Sequence, residues 1–397
     1  MPPELLTAFA FNLGLRTLPI ALFAAVGRHS RRRSYRVALP ALSLALLATA
    51  GAISGTTAEL GATMAIACLY FLGASLVAHG LRGRRVREAL PAPVILGLCL
   101  SLFLVLPAWV FKRSVLVPVV VVGFDYALSA YSYVVTKPEQ ERTWHTSLFF
   151  VLVDPVVAYR KRSVAIQRNS PRPGLARCFG GLLSLLAAEL LLHIIPPTIP
   201  SETFGSNLFA NYPLADYLLL DYLGFLIGVC PWLALHYLGV AGAASLQIGL
   251  LGLLGFQVAE RFQRPYLASD PADFWQRYNR YVTDWLKYHV FAPVAGSRLI
   301  RSAGGGQGSA WWAGVSAAFG LNGLLHVLCA GLLFGRLDIR PLVAFLAYAL
   351  VLLAADLFKR LAPSPRKGVV PQTAASLATF HVVVAFGGYL LPAMGGL

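Results

Sequence analysis

The sequence predicts an all-α integral membrane protein that crosses the bilayer many times. Hydrophobic residues make up 57% of the 397 residues and charged residues only 13%, and the mean hydropathy is +0.66. A soluble domain carries about 25% charged residues, so an ordinary soluble fold is excluded. Several apolar runs are long enough to cross a hydrocarbon core of about 30 Å. We therefore expect one polytopic membrane domain over residues 1–397.

In chain order, the apolar runs predict about 10–11 membrane helices together with re-entrant or interfacial segments. The expected organisation is N-terminal spans at 5–135, a re-entrant segment and basic loop at 136–177, a core at 178–335 and C-terminal spans at 336–397. The run 147–159 is apolar but too short to span, which favours a re-entrant or interfacial segment. The other apolar runs are 5–26, 37–54, 60–79, 89–111, 114–135, 178–199, 214–238, 243–256, 311–335, 341–361 and 374–391.

The formal net charge is +16, and the basic residues are concentrated in short loops such as 28–36 and 82–87. In a soluble protein this charge would suggest nucleic acid, but the positive-inside rule and anionic lipid explain it here. No Lys or Arg occurs between Cys178 and Ala259, so 201–212 is expected outside the cytoplasm. The five cysteines are scattered without a CxxC spacing, so neither a disulfide framework nor a metal site is predicted.

One charged segment interrupts the apolar sequence, and its signals predict a single helix from about Pro271 to His289. Asp270 is a good N-cap, and Pro271 suits the first helical position. Asp273 lies in the first turn, where the helix dipole favours an anion. Pro293 supplies a stop signal beyond the far end.

The predicted helix has two unlike faces, which suits a position in the membrane–water interface. A simple interfacial anchor would have the same pattern, so periodicity alone leaves that alternative open. The aromatic face carries Trp275, Tyr278, Asn279, Val282, Leu286 and His289. The charged face carries Arg277, Arg280, Asp284 and Lys287, with Asp273–Arg277 and Arg280–Asp284 as possible i,i+4 pairs.

The apolar helix 311–335 carries one histidine, His326, on the same face as Phe319, Asn322, Gly323 and Ala330. A ring nitrogen inside a bilayer is costly to leave unpaired, so His326 should face protein or a polar cavity. The alternative is a packing histidine bonded to a carbonyl or to Asn322.

Other intramembrane polar groups are weaker candidates. Arg16 in the first span is expected to face other helices, and Asp125 is an acid whose partner the sequence does not name. His381 in the last span is the rival intramembrane histidine.

The charged segment and the histidine helix together resemble the membrane-bound O-acyltransferase family. The match comprises GLLGF at 252–256, RFQRPY at 261–266, FWQRYN at 274–279, Trp285, HVFAP at 289–293 and GLLH at 323–326. The family usually has NFNRPY in the second motif and Trp at the position of Tyr278. It also usually has Trp and Gly at the positions of Leu325 and Val327.

The resemblance implies helices around a central tunnel and transfer of an acyl group from a thioester, expected to be acyl-CoA, to a hydroxyl. No cofactor or metal is expected. His326 is implied as the general base and Asn279 as a supporting polar group. The substrate-binding candidates are Trp275, Arg277, Tyr278, Arg280, Trp285, Lys287, His289 and Asn322. Arg277, Arg280 and Lys287 suit the phosphates of coenzyme A, or equally a lipid headgroup.

The acceptor remains open between two classes. The overall phrase is similar to bacterial envelope-modifying members, such as the alginate O-acetylation and D-alanine transfer proteins, which implies a glycan acceptor, the bacterial inner membrane and envelope partner proteins. Asn279 instead favours a lipid or sterol acceptor. A non-enzymatic carrier using Asp125, Asp221, His236 and His326, or a scaffold, is the alternative from another class. Membrane lipids are expected partners, and nucleic acid is not.

Overall fold

The structure is a computed structural model that describes residues 14–16, 57–81, 89–111, 113–135, 165–166, 172–194, 222–253, 256–302, 307–335, 337–361, 376 and 379. The regular structure in these ranges is almost entirely helical, which confirms the all-α prediction. Five helices within them are long and apolar enough to cross a membrane. They contain Ala62–Leu81, Ala92–Val110, Pro173–Leu191, Gly308–Phe334 and Arg340–Leu357. The chain is therefore an integral membrane protein, and the predicted total of about ten spans stays a prediction.

Several predicted features lie outside the described residues. They are most of the span 5–26, the span 37–54, the basic loops 28–36 and 82–87, the short apolar run 147–159, the loop 201–212, most of the span 374–391, Asp221, His381 and the side chain of His236.

The chain divides into two compact units. The first comprises Met1–Leu186 with Val240–Glu260, and the second Ala187–Gly239 with Arg261–Leu397. The predicted subdivision at residues 135, 177 and 335 stays a prediction. The elements up to the end of the first unit are α1 (Thr57–Leu81), α2 (Ala92–Leu100), a π-helical turn (Ser101–Val105), α3 (Leu106–Val110), α4 (Arg113–Val135), β1 (Ala165–Ile166), α5 (Arg172–Ile194), α6 (Tyr222–Leu253) and β2 (Phe256–Gln257).

A buried ion pair lies in the first unit. The Arg16 guanidinium donates to the Asp125 carboxylate at 2.8 Å, and both side chains are only 6% exposed. The Tyr126 hydroxyl, next to Asp125 on α4, donates to the Leu15 carbonyl at 2.7 Å. The prediction that Arg16 faces other helices is confirmed, and Asp125 gains the partner that the sequence could not name.

α5 and α6 pack through small residues in the first unit. A Cβ on Gly174 would lie 2.9 Å from the Gly249 carbonyl oxygen, and one on Gly181 would lie 2.8 Å from the Gly242 oxygen. Such close backbone approach is typical of membrane helix pairs. Beside them, β1 and β2 form a short antiparallel ladder, and Arg177 pairs with Glu260 at 2.9 Å.

The separation of 214–238 from 243–256 is wrong. Residues 222–253 form one helix, α6, which runs without a break through the glycines and alanines around Gly242. Glycine is tolerated inside membrane helices, so the small-residue stretch does not end the helix.

The second unit continues with short helices and ends in a long hairpin. Its elements are a 3-10 turn (Pro265–Leu267), α7 (Pro271–Arg277), α8 (Arg280–Leu286), a second π-helical turn (Lys287–Phe291), α9 (Ala292–Ala295), α10 (Arg298–Ser302), α11 (Gln307–Phe334) and α12 (Arg340–Leu361).

The long hairpin confirms the predicted helices 311–335 and 341–361. Gly335 ends α11 with φ +67°, and its N–H donates to the Gly331 carbonyl at 2.9 Å. The Asp338 carboxylate accepts from the Arg340 N–H at 3.0 Å where α12 begins. A Cβ on Gly323 would lie 2.8 Å from Leu342 Cα, so glycine allows the two helices to pack closely.

The predicted single helix from Pro271 to His289 is wrong, although its beginning is confirmed. The Asp270 carboxylate accepts from the Asp273 N–H at 2.8 Å, as expected of an N-cap. α7 nevertheless ends at Arg277, because Asn279 adopts the left-handed conformation with φ 41° and ψ 56°. Asparagine is one of the few residues that tolerate this region.

Pro293 also does not end the helix as predicted. The chain continues from α8 through the π-helical turn Lys287–Phe291 into α9, which contains Pro293 and ends at Ala295. Proline lacks an N–H and collides with the carbonyl of an ordinary preceding turn. The wider π-helical turn just before it provides room for the ring.

Candidate functional site

His326 lies on α11, inside a segment apolar enough to span the membrane. Its Nδ1 is 2.8 Å from the Asn322 carbonyl oxygen. A carbonyl oxygen only accepts, so a neutral His326 must carry its proton on Nδ1 and its lone pair on Nε2. The alternative of a packing histidine bonded to a carbonyl therefore accounts for Nδ1. It does not account for Nε2, whose lone pair can accept a proton.

The side chain of Asn322 lies one turn before His326, and the residue is only 5% exposed. Its Oδ1 is buried, and no group among the described residues donates to it. A buried acceptor left in this state costs about 1–3 kcal/mol. The site therefore contains a built-in place for a hydrogen-bond donor close to the histidine.

An aromatic cluster connects α7 to the histidine helix. The His326 ring lies 4.6 Å from the Phe345 ring, and the Trp275 ring lies 6.0 Å from the same phenylalanine. Trp275 also contacts Phe319 at 5.2 Å and Tyr348 at 5.0 Å, edge to face. Two predicted site residues from separate motifs thus share one neighbour.

Sequence reasoning missed the α12 side of this cluster. Phe345 and Tyr348 stand three residues apart, so they share one helical face. That spacing, within an apolar helix that follows the histidine helix, was the available signal.

Asn279 and Tyr278 occupy the break between α7 and α8. The Asn279 Oδ1 accepts from the Arg261 Nε at 2.9 Å. The Tyr278 ring stacks on Phe274 at 5.3 Å, and burial raises the pKa of its phenol, which keeps the hydroxyl protonated. Arg261 was not predicted as a site residue. The available signal was that this arginine stands where the family usually has asparagine.

The basic candidates lie on α7, on α8 and at the π-helical turn that follows. Arg277 pairs with Asp273 at 2.7 Å. Burial raises the pKa of Asp273, but hydrogen bonds from Arg277 and Ser269 outweigh it and hold the pKa below its ordinary value. Arg280 is half-buried and Lys287 is exposed, so cationic groups remain accessible at this edge of the second unit.

Trp285 lies just before the π-helical turn and is buried, and His289 lies within the turn and is half-buried. Trp285 is 1% exposed, and its ring lies 5.2 Å from that of His289. Burial lowers the pKa of His289 to about 4, so the imidazole is neutral near pH 7. At the end of the turn, Phe291 packs onto α11 where a Cβ on Gly314 would lie 2.6 Å from its ring.

These features define a class: a polytopic α-helical membrane protein with a histidine and a buried, unsatisfied amide oxygen inside one apolar helix. No protein-family model matches the chain. Over 72 residues it is 28% identical to proteins named probable alginate O-acetylase AlgI from Pseudomonas putida, Azotobacter vinelandii and Pseudomonas aeruginosa. This match confirms the resemblance to the membrane-bound O-acyltransferases.

The extent of the match is small on both sides. The aligned stretch is 18% of this chain and 15% of the Pseudomonas putida protein, or 14% of the other two. The chain therefore aligns with about a seventh of the length of these relatives. At this level their names indicate an acyltransferase.

Proposed function

We propose that this chain is a membrane-bound O-acyltransferase in which His326 is the general base. The observation that carries the proposal is the pairing, on one apolar helix, of an imidazole whose Nε2 bears the lone pair with the buried Oδ1 of Asn322. The one proton of an acceptor hydroxyl is directed at Nε2, and the Asn322 oxygen can accept from a second donor group of the same acceptor molecule, which holds the hydroxyl against the base. General-base assistance of this kind contributes about 10²–10⁴-fold to a rate.

The chemistry is a direct transfer to the acceptor hydroxyl. His326 Nε2 removes the hydroxyl proton as the oxygen attacks the thioester carbonyl. The tetrahedral intermediate then collapses with loss of the thiolate, which takes the proton back from the imidazolium. An apolar, aromatic surround suits this reaction, because it excludes water that would hydrolyse the thioester.

The donor in this proposal is a cytoplasmic acyl thioester, with acyl-CoA as the first candidate. Support comes from the cationic groups of Arg277, Arg280 and Lys287, which suit phosphate recognition. A lipid headgroup would meet the same groups, so the donor needs a direct assay.

The acceptor in this proposal is a hydroxyl of a cell-envelope glycan, at the inner membrane of a bacterium and in association with other envelope-modifying proteins. The names of the similar proteins support this acceptor. A lipid or sterol hydroxyl is the second candidate, favoured by Asn279 and by the aromatic cluster around Trp275.

The test follows thiol release from acetyl-, octanoyl- and palmitoyl-coenzyme A by the purified protein in detergent. Each donor is offered alone, with a crude envelope extract and with a lipid extract, for the unmodified protein and for His326→Ala. Release that needs one extract and His326 would support the transferase and identify its acceptor class. Folded protein that releases no thiol with any donor would refute the acyl-CoA form of the proposal.

The same variant separates the alternatives from another class. A carrier would cleave no thioester with or without His326. A scaffold would keep envelope modification in cells that express His326→Ala.

A further inference from the structure

The orientation of the Asn279 amide follows from its partner. Arg261 Nε lies 2.9 Å from Asn279 Oδ1. A guanidinium has only donors, so the amide atom that faces it must be the oxygen. The amide nitrogen, with its two N–H groups, is then directed away from Arg261. Asn279 is thereby fixed as a hydrogen-bond donor towards anything on its other side.

Arg261 is itself held firmly in place. The residue is 6% exposed, and its guanidinium carbon lies 5.6 Å from the centre of the Tyr281 ring, over its face. Guanidinium groups favour such aromatic faces. The side chain is therefore confined between the Asn279 oxygen and a ring on α8.

The backbone around Arg261 is hydrogen-bonded to the chain at the break between α7 and α8. The Arg280 N–H donates to the Arg261 carbonyl at 2.9 Å, and the Gln263 N–H donates to the Arg277 carbonyl at 2.9 Å. Asn279 lies between these two bonds in its left-handed conformation. Two backbone hydrogen bonds therefore tie the segment of Arg261 to the chain just before and just after Asn279.

Charge strengthens the effect of this geometry. A hydrogen bond from a cation to the amide oxygen draws electron density towards that oxygen. The N–H groups of the same amide become better donors as a result. An amide polarised in this way is suited to an oxygen that gains negative charge, as the carbonyl oxygen of a thioester does under attack.

We propose that Arg261 is a positioning residue that locks and polarises Asn279, so that the Asn279 amide N–H donates to the developing oxyanion of the thioester carbonyl. This inference rests on the proposed acyltransferase function and adds a role to each of the two residues. In this proposal Arg261 acts through Asn279 and not by contact with a substrate.

Asn279→Asp tests the donor role. The carboxylate keeps an acceptor for Arg261 and adds charge attraction, but it has no N–H. We expect kcat to fall about 10²–10³-fold, as when one oxyanion donor is removed elsewhere, with KM little changed and with the melting temperature maintained. Turnover within a factor of three of the unmodified protein would overturn the donor role.

A double-mutant cycle tests whether Arg261 acts through Asn279. The variants are Arg261→Gln, Asn279→Ala and the combination, with Arg298→Gln as a matched control at an exposed arginine. We expect Arg261→Gln to lower kcat at least tenfold when Asn279 is present and to cause no further loss when it is absent. Losses that multiply in the double variant would overturn the positioning role, because a general structural effect is additive.

Failure of this inference is distinguishable from failure of the proposed function. An unmodified protein that releases thiol while the cycle is additive would refute only the Arg261–Asn279 inference. A folded, unmodified protein without turnover on any acyl-CoA would refute the acyl-CoA form of the function, and with it the donor role at an acyl-CoA thioester. The same cycle read in melting temperatures would then decide whether Arg261 holds Asn279, with additive shifts counting against it.

Discussion

Two buried polar sites differ in whether their hydrogen-bonding groups find partners within the protein. In the first unit, Asp125 is bonded to Arg16 at 2.8 Å, and both side chains are 6% exposed. In the second unit, the buried Asn322 Oδ1 has no donor among the described residues, and it lies one turn from His326. The first site is closed by the protein itself. The second is built to accept a donor from outside.

This difference separates structural from functional polar groups where sequence alone cannot. An ionisable residue in a membrane helix is a functional candidate by default. A buried pair that satisfies itself chiefly matters to folding, because loss of either partner leaves a charge in an apolar setting. An acceptor kept unsatisfied carries a cost in stability that binding can offset.

Breaking the buried Arg16–Asp125 pair is expected to cause the largest loss of stability. Asp125→Asn leaves the buried Arg16 charge without its carboxylate, and we expect a loss of about 3–5 kcal/mol. Thermal unfolding in detergent, followed by size exclusion, measures it. The control is Arg16→Met combined with Asp125→Leu, which should recover much of the loss because both charges are gone. A single variant as stable as the unmodified protein would show that the pair is dispensable.

The site with the unsatisfied Asn322 oxygen beside His326, called the open site below, predicts a gain in stability instead of a loss. Asn322→Leu replaces the unsatisfied amide by an apolar side chain of similar size, so we expect stabilisation by about 1–3 kcal/mol. Acyl transfer should fall in the same variant, since the acceptor molecule loses a hydrogen-bond partner beside the base. A melting curve and a thiol-release assay on one preparation check both. A destabilised variant with unchanged transfer would remove Asn322 from the site.

The neutral His289 predicts a smaller, pH-dependent effect. Its folded-state pKa is lowered to about 4, below the unfolded value of about 6.5, so between these values the unfolded state binds more protons. Stability is therefore full above about pH 6.5 and falls as the pH drops towards 4. For this half-buried group we expect a loss on the order of 1 kcal/mol at pH 5.

His289→Gln provides the control for the pH effect. Melting temperatures at pH 7.5 and pH 5 should differ less in the variant than in the unmodified protein. Asp273 does not interfere in this window, because its pKa is held below its ordinary value of 3.8. Equal shifts in both proteins would assign the acid sensitivity to other groups.

The sequence predicts well where one local signal decides. Apolar length, a glycine at the end and a proline near the next start are enough to locate the helices that became α11 and α12. The Asp270 N-cap and the Asp273–Arg277 pair depend only on residues within one helical turn, and both are confirmed.

The sequence predicts poorly where distant residues decide. The helical spacing of aromatic and basic residues continues across Asn279, so periodicity cannot show the break that Arg261 and Thr283 stabilise. The partner of Asp125 lies 109 residues away, beyond any pattern along the chain. Asn279 could be named because it occupies a position in the family motif, whereas the role of Arg261 depends on its contact with Asn279 and was missed.

The most direct test measures acylated product by mass for His326→Ala and for Arg16→Met with Asp125→Leu, beside the unmodified protein. We expect His326→Ala, although folded, to lose about 10²–10⁴-fold in transfer, the range of a general base. The double variant should retain transfer in proportion to its folded fraction. Two results would contradict the assignment of the site at His326 and Asn322 as the catalytic one. They are retained transfer in His326→Ala and loss of transfer in the folded double variant.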